Sequence, residues 1–65
     1  MISVDRYQLI MDDLDQILVL EQDHVRCLLK KESVELTGSH FHVISLSEKE
    51  LVLKGKVRTI QINER

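Results

Sequence analysis

The chain contains no proline and no tryptophan, and only one cysteine, two glycines and two aromatic residues, Tyr7 and Phe41. With Cys27 alone, an intrachain disulfide is excluded. With so few rings, any core must be built from Leu, Ile and Val, which together with the other apolar residues keep the chain well above the composition of a disordered one. There is no apolar run of roughly 18 residues and no basic-then-apolar leader at the N-terminus, so a cytoplasmic protein is expected. A lone thiol fits that reducing compartment.

What is present is 65 residues, enough for one small β-rich domain spanning 1–65 and too few for a second. Chains this short are commonly stabilised by a disulfide, a metal or a partner subunit, so a homo-oligomer is expected here. The net charge of −2 hides a division: residues 1–23 carry six carboxylates and one Arg, net −5, and residues 24–65 are net +3. The two blocks could pair within one molecule or between copies, and neither is strong enough to indicate nucleic acid.

From Val25 onward the pattern is that of strands. Val25, Cys27 and Leu29 alternate with Arg26, Leu28 and Lys30, and short apolar pulses follow at Val34 and Leu36, Phe41 and Val43, Leu51 and Leu53, and Ile60 and Ile62. Strands are predicted near 7–12, 16–21, 24–30, 33–37, 41–46, 50–54 and 57–63. Turns are predicted at Lys31-Glu32, Gly38-Ser39, Ser47-Glu48-Lys49 and Gly55-Lys56. Apolar parity changes from odd at Leu51 and Leu53 to even at Ile60 and Ile62, which calls for a turn or bulge between them, Gly55 being the natural place. The expected fold is an all-β antiparallel meander, sandwich-like, of short strands. Two alternatives stand beside it. Ile17, Val34 and Leu51 recur every 17 residues, as do Val19, Leu36 and Leu53, a spacing that a short β-solenoid would also produce. Tyr7, Ile10, Met11, Leu14, Ile17 and Leu18 fit one face of a helix with Ser3 or Asp5 as its N-cap, giving an α+β fold. Against the helix, Tyr7, Leu9 and Met11 also alternate, and Asp12-Asp13-Leu14-Asp15 could form a hairpin turn.

Few residues offer chemistry. His24, His40, His42 and Cys27 have metal-ligand character, and His40 and His42 would share a strand face, but no metal-site spacing is present and no metal is expected. Cys27 alternates with Val25 and Leu29, a core position unsuited to a nucleophile. Asp12, Asp13 and Asp15 read as turn residues and lack the glycine and terminal Glu of a calcium loop. No enzyme, cofactor or small-molecule substrate is indicated. Lys54, Lys56 and Arg58 form a short basic stripe without stacking aromatics, more consistent with guarding a β-edge than with binding nucleic acid. The candidate interaction edge is accordingly placed at Leu51, Leu53, Lys54, Lys56, Val57 and Arg58. A small nucleic-acid-binding domain using Arg26, Lys30, Lys54, Lys56 and Arg58 on phosphates is the alternative.

Three stretches taken together carry a resemblance: His24-Val25-Arg26-Cys27-Leu28-Leu29, then 34–43 with Gly38 followed by Phe41, then Glu50-Leu51-Val52-Leu53-Lys54-Gly55-Lys56-Val57. In the order of its apolar pulses this resembles the YabP/YqfC family of bacterial sporulation proteins. Arg26, the pair Gly38 and Phe41, and the final Leu53, Gly55 and Val57 match the family pattern over about residues 7–62. Gln16 and Lys31-Glu32-Ser33 stand where the family has hairpin glycines, and the usual extra N-terminal segment is lacking. The resemblance implies strands in place of the helix between Tyr7 and Leu20. It also implies a non-enzymatic protein of spore formation, acting in coat or cortex assembly with a protein partner bound to a membrane in the mother cell.

Overall fold

A computed structural model describes residues 2–4 and 8–65. Six strands account for almost all of them: β1 (Ile2–Val4), β2 (Gln8–Asp12), β3 (Leu14–Leu20), β4 (His24–Leu29), β5 (Glu32–Leu46) and β6 (Glu50–Glu64). They form one antiparallel sheet in the order β1-β2-β6-β5-β4-β3. The all-β meander is therefore the fold. Neither alternative holds: a solenoid stacks its rungs in parallel, and residues 8–20, which fit a helical face, lie in β2 and β3. Tyr7 and Asp5, used in weighing the helix, lie outside the described residues.

The two longest strands depart most from expectation. Segments 33–37 and 41–46 join into β5, and 50–54 and 57–63 join into β6, so Gly38 and Gly55 sit inside strands and not in hairpin turns. A straight 15-residue strand would span about 50 Å, yet the longest extent of the molecule is 26 Å. The β5–β6 ribbon must therefore bend, and it does so at its glycines. A Cβ on Gly38 would lie 1.9 Å from the Lys56 carbonyl oxygen, and one on Gly55 (φ 154°) would meet the Phe41 ring at 2.7 Å. The ladder is interrupted on both strands around this bend: His40 and Phe41 are skipped on β5, Gly55 and Arg58 on β6. The parity change between Leu53 and Ile60 is thus a bulge at Arg58 beyond the bend. It turns Ile60 and Ile62 to face the same side as their cross-strand partners Leu36 and Val34.

Bending divides the sheet into two facing halves. One half holds β1, β2 and the first part of β6 with the last part of β5, and the other holds β3, β4 and the remainder of β5 and β6. Leu9, Met11, Leu51 and Leu53 from the first half and Val25, Cys27, Leu29, Val34 and Leu36 from the second meet in one core, with Phe41 at the bend. Besides the bends within β5 and β6, the chain crosses between halves at Asp13, the single residue between β2 and β3. This residue takes φ 59°, a left-handed conformation that Asp tolerates better than most. The expected turn at residues 12–15 is therefore a corner between β2 and β3, which are not neighbours in the sheet, and not a hairpin. Two backbone hydrogen bonds fix the corner, from Leu14 N–H to the Lys49 carbonyl and from Lys30 N–H to the Asp13 carbonyl, both 3.0 Å.

Candidate functional site

The strand order divides the expected interaction edge in two. Leu51, Leu53 and Lys54 lie between β2 and β5 with partners on both sides: Leu53 is opposite Leu9 and Val43, and Leu51 is opposite Met11 and Leu46. A strand paired on both sides offers no ladder to a newcomer. Among the described residues Lys56 and Val57 pair with β5 alone and Arg58 is the bulged residue, so this part of the expected segment does lie on an open edge.

A further open edge is the second half of β5. β4 pairs with β5 only through Thr37, so among the described residues 42–46 are paired with β6 alone. Val43 and Leu46 are opposite buried leucines and so face the core side, yet they are only partly covered: Val43, Ile44 and Leu46 are 39%, 48% and 55% exposed. The other open edges also expose apolar residues, Leu18 and Leu20 on β3 (43% and 42%) and Ile60 and Ile62 on β6 (39% and 43%), but each carries a guard. β3 has two bulges and Asp15, the outer half of β6 has Arg58 at its bulge, and β1 is three residues long. Residues 43–46 have the bulge at Ile44 but no charge. Sequence reasoning missed them because it looked for charged guards. The available signal was that residues 36–47 contain no Asp, Glu, Lys or Arg.

Beside this edge, the bend brings together two candidate sets that are separate in sequence. His40 and His42 from β5 and Lys54 and Lys56 from β6 surround a groove of about 220 Å³ with Gly55 also lining it. His42 Nδ1 lies 3.3 Å from the His40 carbonyl oxygen, and His40 itself has φ 60°. The remaining metal candidates do not join them. His24 is hydrogen-bonded through Nε2 to Glu35 Oε2 at 2.7 Å, and Cys27 is sealed in the core, where burial pushes its thiol up to about 11. Among the described residues no three His, Cys, Asp or Glu side chains converge as a metal site. Arg26 is opposite Glu35 on β4, away from the groove, and Lys30 lies in the β4–β5 turn, so the five proposed phosphate contacts do not share a surface.

Asp13 and Asp15 stand at the corner, where Asp15 pairs with Arg65 at 2.6 Å. That pair joins the acidic and basic blocks within the molecule. Glu21 and Asp23 are differently placed, in the exposed β3–β4 turn. This turn is tied to the bend by hydrogen bonds from Gly38 N–H to the Asp23 carbonyl (3.1 Å) and from Phe41 N–H to the Gln22 carbonyl (2.9 Å). No helix is long and apolar enough to cross a membrane among the described residues. No family model, curated protein or solved structure matches the chain.

Proposed function

We propose that this chain is a non-catalytic protein-interaction and assembly module that accepts an extended segment of a partner protein along residues 43–46 of β5. The observation that carries this reading is the uncharged half-strand that, among the described residues, is paired on one side only beside the core. An incoming strand would draw affinity from backbone hydrogen bonds and selectivity from side chains set against Val43 and Leu46. Spore formation as the setting, with a membrane-bound protein partner in coat or cortex assembly, comes from the resemblance in residue pattern. The nucleic-acid alternative has less support, since only Lys54 and Lys56 of its five residues share a groove and no exposed aromatic accompanies them among the described residues.

The test compares the native chain with Ile44→Lys, which places a charge on the edge, and with Leu20→Lys on β3 as a control. A partner recovered from sporulating cells should be lost with Ile44→Lys and kept with Leu20→Lys, and the purified partner should slow amide exchange at 43–46. A partner that binds the Ile44→Lys chain undiminished would overturn the reading.

A further inference from the structure

Beyond the bulge at Arg58, the outer half of β6 runs beside β5 on one flank and, among the described residues, has no strand on the other. Its register with β5 is regular from Thr37↔Thr59 to Glu32↔Glu64, and the Arg65 N–H continues the ladder to the Lys31 carbonyl at 3.1 Å. That last bond fixes which backbone groups are free. In an antiparallel ladder, residues that bond to one neighbour alternate with residues that face the other way. Arg65 turns its amide to β5, so Asn63, Gln61 and Thr59 do the same, and the N–H and C=O of Ile60, Ile62 and Glu64 face outward. The far end of the strand is tethered as well: Arg65 Nη1 donates to Asp15 Oδ2 at 2.6 Å and to the Leu29 carbonyl at 2.9 Å.

The order of side chains along this edge is self-complementary. The segment Arg58-Thr59-Ile60-Gln61-Ile62-Asn63-Glu64 has a cation at one end, a carboxylate at the other and its two isoleucines placed symmetrically about Gln61. A second copy turned about a two-fold axis through Gln61 sets Ile60 against Ile62, Thr59 against Asn63 and Arg58 against Glu64, each pair occurring twice, as a closed dimer requires. The same register brings the outward-facing backbone groups of Ile60 and Ile62 onto each other. Sliding one strand by a single residue sets an outward-facing amide against an inward-facing one, and sliding it by two sets Ile62 against Arg58 or Ile60 against Glu64. Only the register centred on Gln61 satisfies backbone, apolar pairs and charge together. Among the described residues neither Arg58 nor Glu64 has an ion-pair partner within its own chain. Ile60 and Ile62 lie opposite Leu36 and Val34, on the core side of the sheet, and remain partly exposed.

We propose that this chain dimerises by antiparallel pairing of residues 58–64 of β6 with the same residues of a second copy, centred on Gln61. The β4-β5-β6 half-sheet of one copy then continues into β6-β5-β4 of the other, and Ile60 and Ile62 of both copies form one apolar row between the two cores. Arg58 acts as a guard and as a selector: its charge deters an arbitrary strand and is neutralised by one that carries a carboxylate at the matching position. The pairing is independent of partner binding at 43–46, which lies on a different edge.

Sedimentation equilibrium on the full chain, native and with the edge charges reversed, tests the proposal. The native chain should be a dimer. Arg58→Glu and Glu64→Arg each set like charges opposite one another at both ends of the paired strands, and each should weaken association about tenfold or more with an unchanged circular dichroism spectrum. The double variant Arg58→Glu/Glu64→Arg should recover the native affinity, and a mixture of the two single variants should form a one-to-one complex, because both combinations restore opposite charges. Gln61→Cys should crosslink two chains under mild oxidation, since the two-fold axis sets this position against itself, and Thr59→Cys should not. Ile44→Lys, on the separate edge, should leave the dimer intact. A native chain that stays monomeric up to about 1 mM, a dimer indifferent to both single reversals, a double variant as weak as the singles, or a dimer lost with Ile44→Lys would each overturn the proposal.

Discussion

Cys27 shows how a reactive residue type is made inert by its position. It is fully buried between Val25 and Leu29 on the core face of β4, and loss of hydration raises its thiol to about 11 from 9.0. The folded chain should therefore resist thiol reagents at neutral pH and react only at the rate at which it opens, as labelling with and without denaturant would show. The sign of the linked pH effect follows. Between pH 9 and 11 the unfolded thiol loses its proton and the folded one keeps it, so this group's stabilising contribution is intact below 9 and falls by about 1.4 kcal/mol per pH unit above it. At Leu53, which is 0% exposed, truncation to Ala should cost about 2–5 kcal/mol, a large part of the total for so small a domain. Chemical denaturation would measure it, and a loss well below this range would place Leu53 outside the core.

Among the elements, what the sequence made legible was mostly alternation. Val25, Cys27 and Leu29, or Leu51 and Leu53, declare strands because side chains two apart share a face, and all five are buried in the structure. The turn at Ser47-Glu48-Lys49 was also readable and joins β5 to β6. Gly38 and Gly55 misled because glycine serves tight turns and close backbone approach equally well, and only the partner strand reveals which. Here the partner is the Lys56 carbonyl in one case and the Phe41 ring in the other. The same limit hid the open edge: whether a strand has one neighbour or two depends on sheet order, which local pattern does not encode. β1, at Ile2–Val4, was missed because three residues give too little alternation to register. The corner at Asp13 carries its own test. A β-branched residue at φ 59° is strained, so Asp13→Val should destabilise by about 1–2 kcal/mol and Asp13→Gly should be tolerated. Equal stability of the two variants in urea would refute the left-handed corner.

For the whole molecule, folding one sheet onto itself solves the problem of a short chain with few large side chains. Both halves of the β5–β6 ribbon contribute to one core, and 10 buried residues gather there from β2, β4, β5 and β6. Among the described residues the arrangement leaves the second half of β5 and the outer half of β6 without a second neighbour, and the bend exposes charge of both signs. Core completion and surface incompleteness arise from the same fold, and the proposed functions use the second.

The most direct test is residue-resolved amide hydrogen exchange on the isolated chain at low protein concentration. Amides at 51–54, enclosed by β2 and β5, should exchange only through global unfolding, and the outward-facing amides at 42–46 should exchange orders of magnitude faster. Protection at 42–46 equal to that at 51–54 in the monomer would mean that the edge is already covered, and the account of this chain as a strand-accepting module would fail.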